Sequence, residues 1–150
     1  MNNFILVMEI FMTIISGVFV FILGQLVLKF IIEPIQEFRK TVADIAFALI
    51  EYANIYSNPG YAGNELENKA SQELRKLSSR LNAQIYLIPG YRTISKLFKL
   101  PSKNNMVEAT SELICLSNGV FKSPIDLVNT NLERAKKIRI TLGIYDPKSD

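Results

Sequence analysis

The chain has no histidine and a single cysteine among its 150 residues. Without histidine there is no Ser-His-Asp or Cys-His nucleophile system, no imidazole acid/base chemistry and no mixed Cys/His zinc site. One thiol cannot close a disulfide within the chain. Charge of one sign is also scarce: 17 Lys+Arg face 14 Asp+Glu, a net +3, which excludes a histone-like polycation. No Val/Ile/Thr-rich run alternates in the manner of a half-buried strand. Asn58-Pro59-Gly60-Tyr61-Ala62-Gly63 lacks the lysine and the spacing of a phosphate loop and reads as a turn. Glu37, Asp44 and Glu51 recur on one helix face, but successive members stand about 10.5 Å apart along the axis, too far to share one metal. No cofactor or metal site is expected. An enzyme would have only Cys115 and scattered carboxylates to work with, and Cys115 has no basic residue within its own helical turn to activate it.

What is present is concentrated at the front. Residues 1–32 hold 23 hydrophobic side chains, and the 19 residues from Ile10 to Leu28 carry no charge. About 20 helical residues cross a hydrocarbon core of ~30 Å. A cleaved signal peptide would need a basic start and a small-x-small cleavage site, and neither is found. The expectation is an uncleaved transmembrane helix. Glu9 precedes it, whereas Lys29, Arg39 and Lys40 follow, so the positive-inside rule places the N-terminus outside and the C-terminal domain in the cytoplasm. Cys115 then lies in a reducing compartment. On a helical wheel Glu9, Thr13, Ser16, Gly17, Val20 and Gly24 fall within about 100° of one another. Small and hydroxylated residues let helices approach closely in lipid, so Thr13, Ser16, Gly17 and Gly24 are candidate contacts for a homo-oligomer, with a pore as a further option.

The remainder reads as helices. Pro34 suits a first helical position, and Ile35, Phe38, Val42, Ile45, Leu49 and Ala53 follow at helical spacing up to the Ser57–Gly60 turn. A second helix starts near Asn64 with Leu66, Ala70, Leu74, Leu77, Leu81 and Ile85 on its stripe, and stops at Pro89-Gly90. A short third covers Tyr91–Leu100, with Arg92, Lys96 and Lys99 on one face and Ile94, Leu97 and Phe98 on the other. Ser102 caps a fourth, with Val107, Thr110, Leu113, Ile114 and Ser117 along it. Thr130 and Glu133 have the capping-box spacing for a fifth, carrying Leu132, Ala135, Ile138 and Leu142 and closed by Gly143. Short Gly/Pro connections between long amphipathic helices predict an all-α fold: an N-terminal anchor (1–32), an antiparallel bundle of about five helices (33–144) and a loose tail (145–150). Asn54 and Asn118 stand at matching places in two helices and are candidates to face each other in the core, although ordinary C-capping explains them equally.

The small net charge hides a pattern. Residues 33–73 sum to −4 and residues 108–150 to zero, while 74–107 carry seven bases and no acid. Arg92, Lys96, Lys99 and Lys103 within that stretch are open to four readings: a solvated face, anionic lipid, nucleic acid with Tyr86, Tyr91 or Phe98 stacking on bases, or a partner's acidic face.

Ser117-Asn118-Gly119-Val120-Phe121-Lys122 closes a bundle helix with a polar residue followed, after three positions, by a base. A single N-terminal span, an all-helical cytoplasmic part and this hexapeptide together resemble the CRISPR-associated transmembrane accessory proteins with a divergent HEPN-like domain. Their signature is Arg-polar-x3-His; Asn118 takes the polar position, and Ser117 and Lys122 stand in place of Arg and His. The resemblance implies oligomeric association in a bacterial inner membrane and a role beside a defence nuclease. The absent histidine removes RNA cleavage from that role. The expected function is therefore non-enzymatic: a self-associating membrane protein, accessory or membrane-perturbing, in anti-phage defence. A membrane-tethered RNA- or DNA-binding adaptor using residues 74–107 is the alternative.

Overall fold

The computed structural model describes residues 2–121 and 127–144, and among these there are helices and no strand. Helix α1 spans Asn2–Val27, and a π turn spans Leu28–Ile32. Then follow α2 (Glu33–Glu51), α3 (Ala53–Ser57), α4 (Asn64–Leu87), α5 (Tyr91–Leu97), α6 (Lys103–Asn118) and α7 (Leu127–Leu142). The expected helical bundle behind a long apolar helix is the fold observed. Lys122 and the expected tail from 145 lie outside the described residues.

Pro34 does not begin a separate helix. One helix runs unbroken from Phe4 to Glu51, 48 residues, with Pro34 in its interior. In an α-helix the proline ring would meet the carbonyl of Phe30 and lose one backbone bond. The π turn just ahead absorbs this: the N–H of Glu33 reaches back to the carbonyl of Leu28, five residues earlier, and widens the backbone where the ring must fit. The helix is therefore continuous across a position that normally ends one.

Burial changes abruptly along this rod. From Phe4 to Phe30 every side chain is exposed; Ile31 is half-buried against the core, and Ile35 is the first that is fully inside. The 26-residue α1, about 39 Å at 1.5 Å per residue, is long and apolar enough to cross a membrane. Beyond it, Phe38, Ile45 and Leu49 of α2 join Leu74, Leu81, Met106, Leu113, Leu116 and Ile138 in one core.

Helix α4 packs antiparallel between α2 and α6, and α7 covers α6. The register is fixed by polar contacts. Gln84 Nε2 donates to Thr41 Oγ1 (2.7 Å) and to the carbonyl of Glu37 (3.2 Å), Arg80 pairs with Asp44 (3.2 Å), and Ser78 Oγ donates to the carbonyl of Thr110 (2.9 Å). Facing residue numbers on α2 and α4 thus run in opposite directions at nearly equal steps.

Several finer expectations are corrected. The buried face of α6 is Met106, Ala109, Leu113, Leu116 and Ser117; Val107 and Ile114 lie outside, one step off the phase assigned from apolarity alone. Leu66 and Leu132 are exposed, because each stands one position off the buried stripe of its helix, which begins at Glu67 in α4 and at Asn131 in α7. Thr130 lies inside α7, which starts at Leu127, so it is no N-cap. Ser102 does cap α6, its Oγ accepting from the N–H of Asn105 at 3.1 Å. Asn54 and Asn118 do not face each other. Both are exposed: Asn54 takes the side-chain amide of Asn58, and Asn118 takes the guanidinium of Arg75.

Candidate functional site

On α1 the Thr13 hydroxyl donates to the carbonyl of Glu9 and that of Ser16 to the carbonyl of Thr13, both at 2.8 Å. Each thus returns to its own helix and needs no partner to be satisfied. A Cβ added at Gly17 or Gly24 would meet nothing within 4 Å. This face is smooth, narrow and open.

The basic stretch divides into two parts. On α4, Arg75 donates to Asn118 Oδ1, Lys76 pairs with Glu73 (3.4 Å), and Arg80 pairs with Asp44. Arg92, Lys96, Lys99 and Lys103 are all exposed, and among the described residues none has an ionic partner. These four belong to α5, its exit and the start of α6. Helix α5 is held in place by the buried Tyr91, whose hydroxyl donates to the carbonyl of Pro101 at 2.8 Å. Lys99 adopts φ +53°, closing the helix with the Leu100 N–H on the carbonyl of Ser95 at 2.8 Å. This turn corrects the expected helix end at Leu100. It also corrects the expected apolar face, because Leu97 is 73% exposed beside Arg92 and Lys96 while Ile94 and Phe98 pack inward.

Cys115 is half-buried in a groove between α6 and α7, beside Arg134 and Lys137. Those bases are already engaged. Lys137 Nζ lies 2.9 Å from both Glu108 and Glu112, and hydrogen bonds to the two carboxylates hold its ammonium well above the usual lysine range. Arg134 donates to the carbonyl of Cys115 at 3.3 Å and stands 3.9 Å from Glu112. The groove is an internally neutralised ion cluster around a thiol. The candidate acidic stripe is likewise shared: Asp44 and Glu51 border a second groove together with Lys69, Glu73, Lys76 and Arg80. No group of three or more His, Cys, Asp or Glu side chains among the described residues is arranged to hold a metal ion.

Two buried amides escaped the sequence reading. Asn131 is fully buried; its Nδ2 donates to the carbonyls of Tyr56 (2.9 Å) and Gly119 (2.7 Å), tying α3 and the end of α6 to α7. Gly119 has ordinary helical dihedrals, yet a Cβ there would collide with Asn131 Oδ1. Gln84 is the second, bonded to α2 as described. The signal was available, since Asn131 shares the phase of Ala135, Ile138 and Leu142, and a polar residue on an apolar stripe must be hydrogen-bonded.

The fold and these surfaces define a class: an all-α bundle carrying one exposed apolar helix of membrane-spanning length. No protein-family model, curated protein or solved structure matches the chain.

Proposed function

We propose that this is a non-enzymatic single-pass membrane protein whose bundle stands on the cytoplasmic face and whose copies associate through the face bearing Thr13, Ser16, Gly17 and Gly24. The observation that carries the reading is the unbroken 48-residue helix, apolar and uncovered in its front half and part of the core in its rear half. A water-soluble fold would not leave 26 residues of this composition without a partner. The orientation rests on Lys29, Arg39 and Lys40 following the span. The reading without catalysis rests on the missing histidine and on ion pairs that already occupy Cys115's basic neighbours. Work in a bacterial inner membrane, as an accessory or membrane-perturbing component beside a defence nuclease, rests on the architectural resemblance and on Asn118. Gene adjacency to such a nuclease is its test. A nucleic-acid adaptor would draw on the basic stretch, but Lys76 and Arg80 are ion-paired, leaving five of its seven bases without an ionic partner among the described residues.

Two measurements test the proposal. In a Cys115→Ser background, an impermeant maleimide labels Asn3→Cys in intact cells and Asn104→Cys only after lysis. In detergent the chain runs as an oligomer, and Gly17→Leu with Gly24→Leu reduces its mass to a monomer. The opposite labelling overturns the topology. A wild-type monomer, or an unchanged oligomer in the double variant, overturns association through this face.

A further inference from the structure

The antiparallel register of α4 against α2 places the unpaired bases. Gln84 contacts Glu37 and Thr41, near the start of α2. Continuing the register by about one turn sets Leu87–Gly90 level with Pro34 and Ile31, where the apolar run ends. Helix α5 therefore caps the end of the bundle from which α1 departs. One further contact fixes it there: Phe98, Lys99, Leu100 and Pro101 share a pocket with Phe38, Arg39 and Val42 of α2. Helix α6 runs back along α4, which brings Lys103 to this end as well.

This end carries the chemistry of a membrane interface. Among the described residues, Arg39, Lys40, Arg92, Lys96, Lys99 and Lys103 are exposed there against two exposed acids at the same level, Glu33 and Glu37. Between them stand uncovered apolar side chains: Tyr86 is 77% exposed, Leu87 60% and Leu97 73%. Between α5 and the start of α6 lies a pocket of about 330 Å³, bordered by Arg92, Lys96 and Lys103 with Tyr91 and Leu100 in its wall and no acid in its lining. Bases around an apolar niche, beside an exposed tyrosine and leucines, suit the headgroup layer, where rings and aliphatic chains enter and ammonium groups stay wet.

We propose that the α5 end of the bundle is a docking surface for the anionic phospholipid of the bilayer holding the span, with Arg92, Lys96 and Lys103 on headgroups and Leu87 and Leu97 in the interfacial layer. The inference rests on the reading of α1 as a span, because the tether puts this end against the bilayer. Each base near a negatively charged surface shifts the docked-to-free ratio about fivefold, and salt screens that gain. Tethering supplies proximity, so three or four bases suffice where a soluble protein would need more.

The chain contains no tryptophan, so Leu97→Trp is a unique reporter, and Ile50→Trp, at the far end of α2, is its control. Full-length protein is reconstituted in vesicles of phosphatidylcholine alone, or with about one third phosphatidylglycerol. The Leu97→Trp emission should shift to the blue in anionic vesicles only and return with salt, while Ile50→Trp stays constant. Adding Arg92→Glu, Lys96→Glu and Lys103→Glu should remove the shift without loss of helical circular dichroism. Substitution by glutamine should remove it in part. If the protein floats with both vesicles and its emission ignores lipid charge, docking is wrong and the span stands. If it floats with neither, the span itself is wrong. If single-stranded RNA moves the emission and anionic lipid does not, the surface belongs to nucleic acid and the proposal falls.

Discussion

The two halves of the long helix obey different rules although they are one piece of backbone. Between Phe4 and Phe30 every position is exposed, so side-chain identity there is set by the surrounding medium and not by neighbours within the chain. Between Ile35 and Leu49 a stripe is sealed against α4 and α7, so identity is set by neighbours within the chain. The comparison separates apolarity from burial. The front half is the more apolar and the less buried, and composition alone would have ranked them the other way.

The sharpest way to test that contrast is to remove the same atoms from each half. Leu81→Ala in the core should lower bundle stability by about 3 kcal/mol, read from the thermal midpoint in detergent, whereas Leu23→Ala on α1 should leave that midpoint in place. An equal loss at both would mean that α1 folds back on the bundle. Adding an atom is the next largest test. Gly119→Ala drives a methyl into Asn131 Oδ1 and should cost about 2–3 kcal/mol, while Gly17→Ala and Gly24→Ala meet open space and should cost the bundle nothing. Asn131→Ala removes both of its carbonyl contacts and should cost about 2 kcal/mol, which denaturant midpoints would detect. The surface pair is weaker: a double-mutant cycle on Asp44 and Arg80 should give about 0.5 kcal/mol, decreasing with salt.

The smallest effect is spectroscopic. Burial raises the phenol pKa of Tyr52, Tyr56 and Tyr91 above the ordinary 10.0; at Tyr52 the nearby Glu51 and Glu73 raise it further, and at Tyr56 Arg139 opposes the rise. Above that ordinary value the unfolded chain releases these protons first, so the contribution is complete below it and lost as pH rises. Tyrosinate absorbance from Tyr52, Tyr56 and Tyr91 should therefore rise only as the helical circular dichroism is lost at alkaline pH. Ionisation of these three with the helical signal intact would contradict the burial pattern.

Periodicity made the helices and most of the core legible, because the stripes of α2 and α4 are dense in leucine and isoleucine. On α6 it found Leu113 and Ser117 but took Val107 and Ile114 for their neighbours on the stripe, since both outrank Ala109 in apolarity while alanine is what fits between packed helices. It set a boundary at Pro34 because a one-residue adjustment of backbone pairing leaves no mark in hydropathy. The basic stretch was visible in the charge count. Its division into a paired half and a free half was not, because Asp44 and Asn118 approach α4 from other helices. Leu97 was assigned inward by helical phase, yet a seven-residue end-cap has only one side to bury.

The π turn at Leu28–Ile32 has a mechanical consequence. Because the backbone hydrogen bonding runs on through it, the orientation of the span about its own axis fixes the direction in which α2 presents its buried stripe. Where spans pack on the Thr13–Gly24 face, their mutual rotation sets the azimuth of every bundle at once. Inserting one residue into the turn would swing each bundle by about 100° and leave both halves intact. Such an insertion separates torque from mere attachment: an anchored protein tolerates it, and a geared one does not.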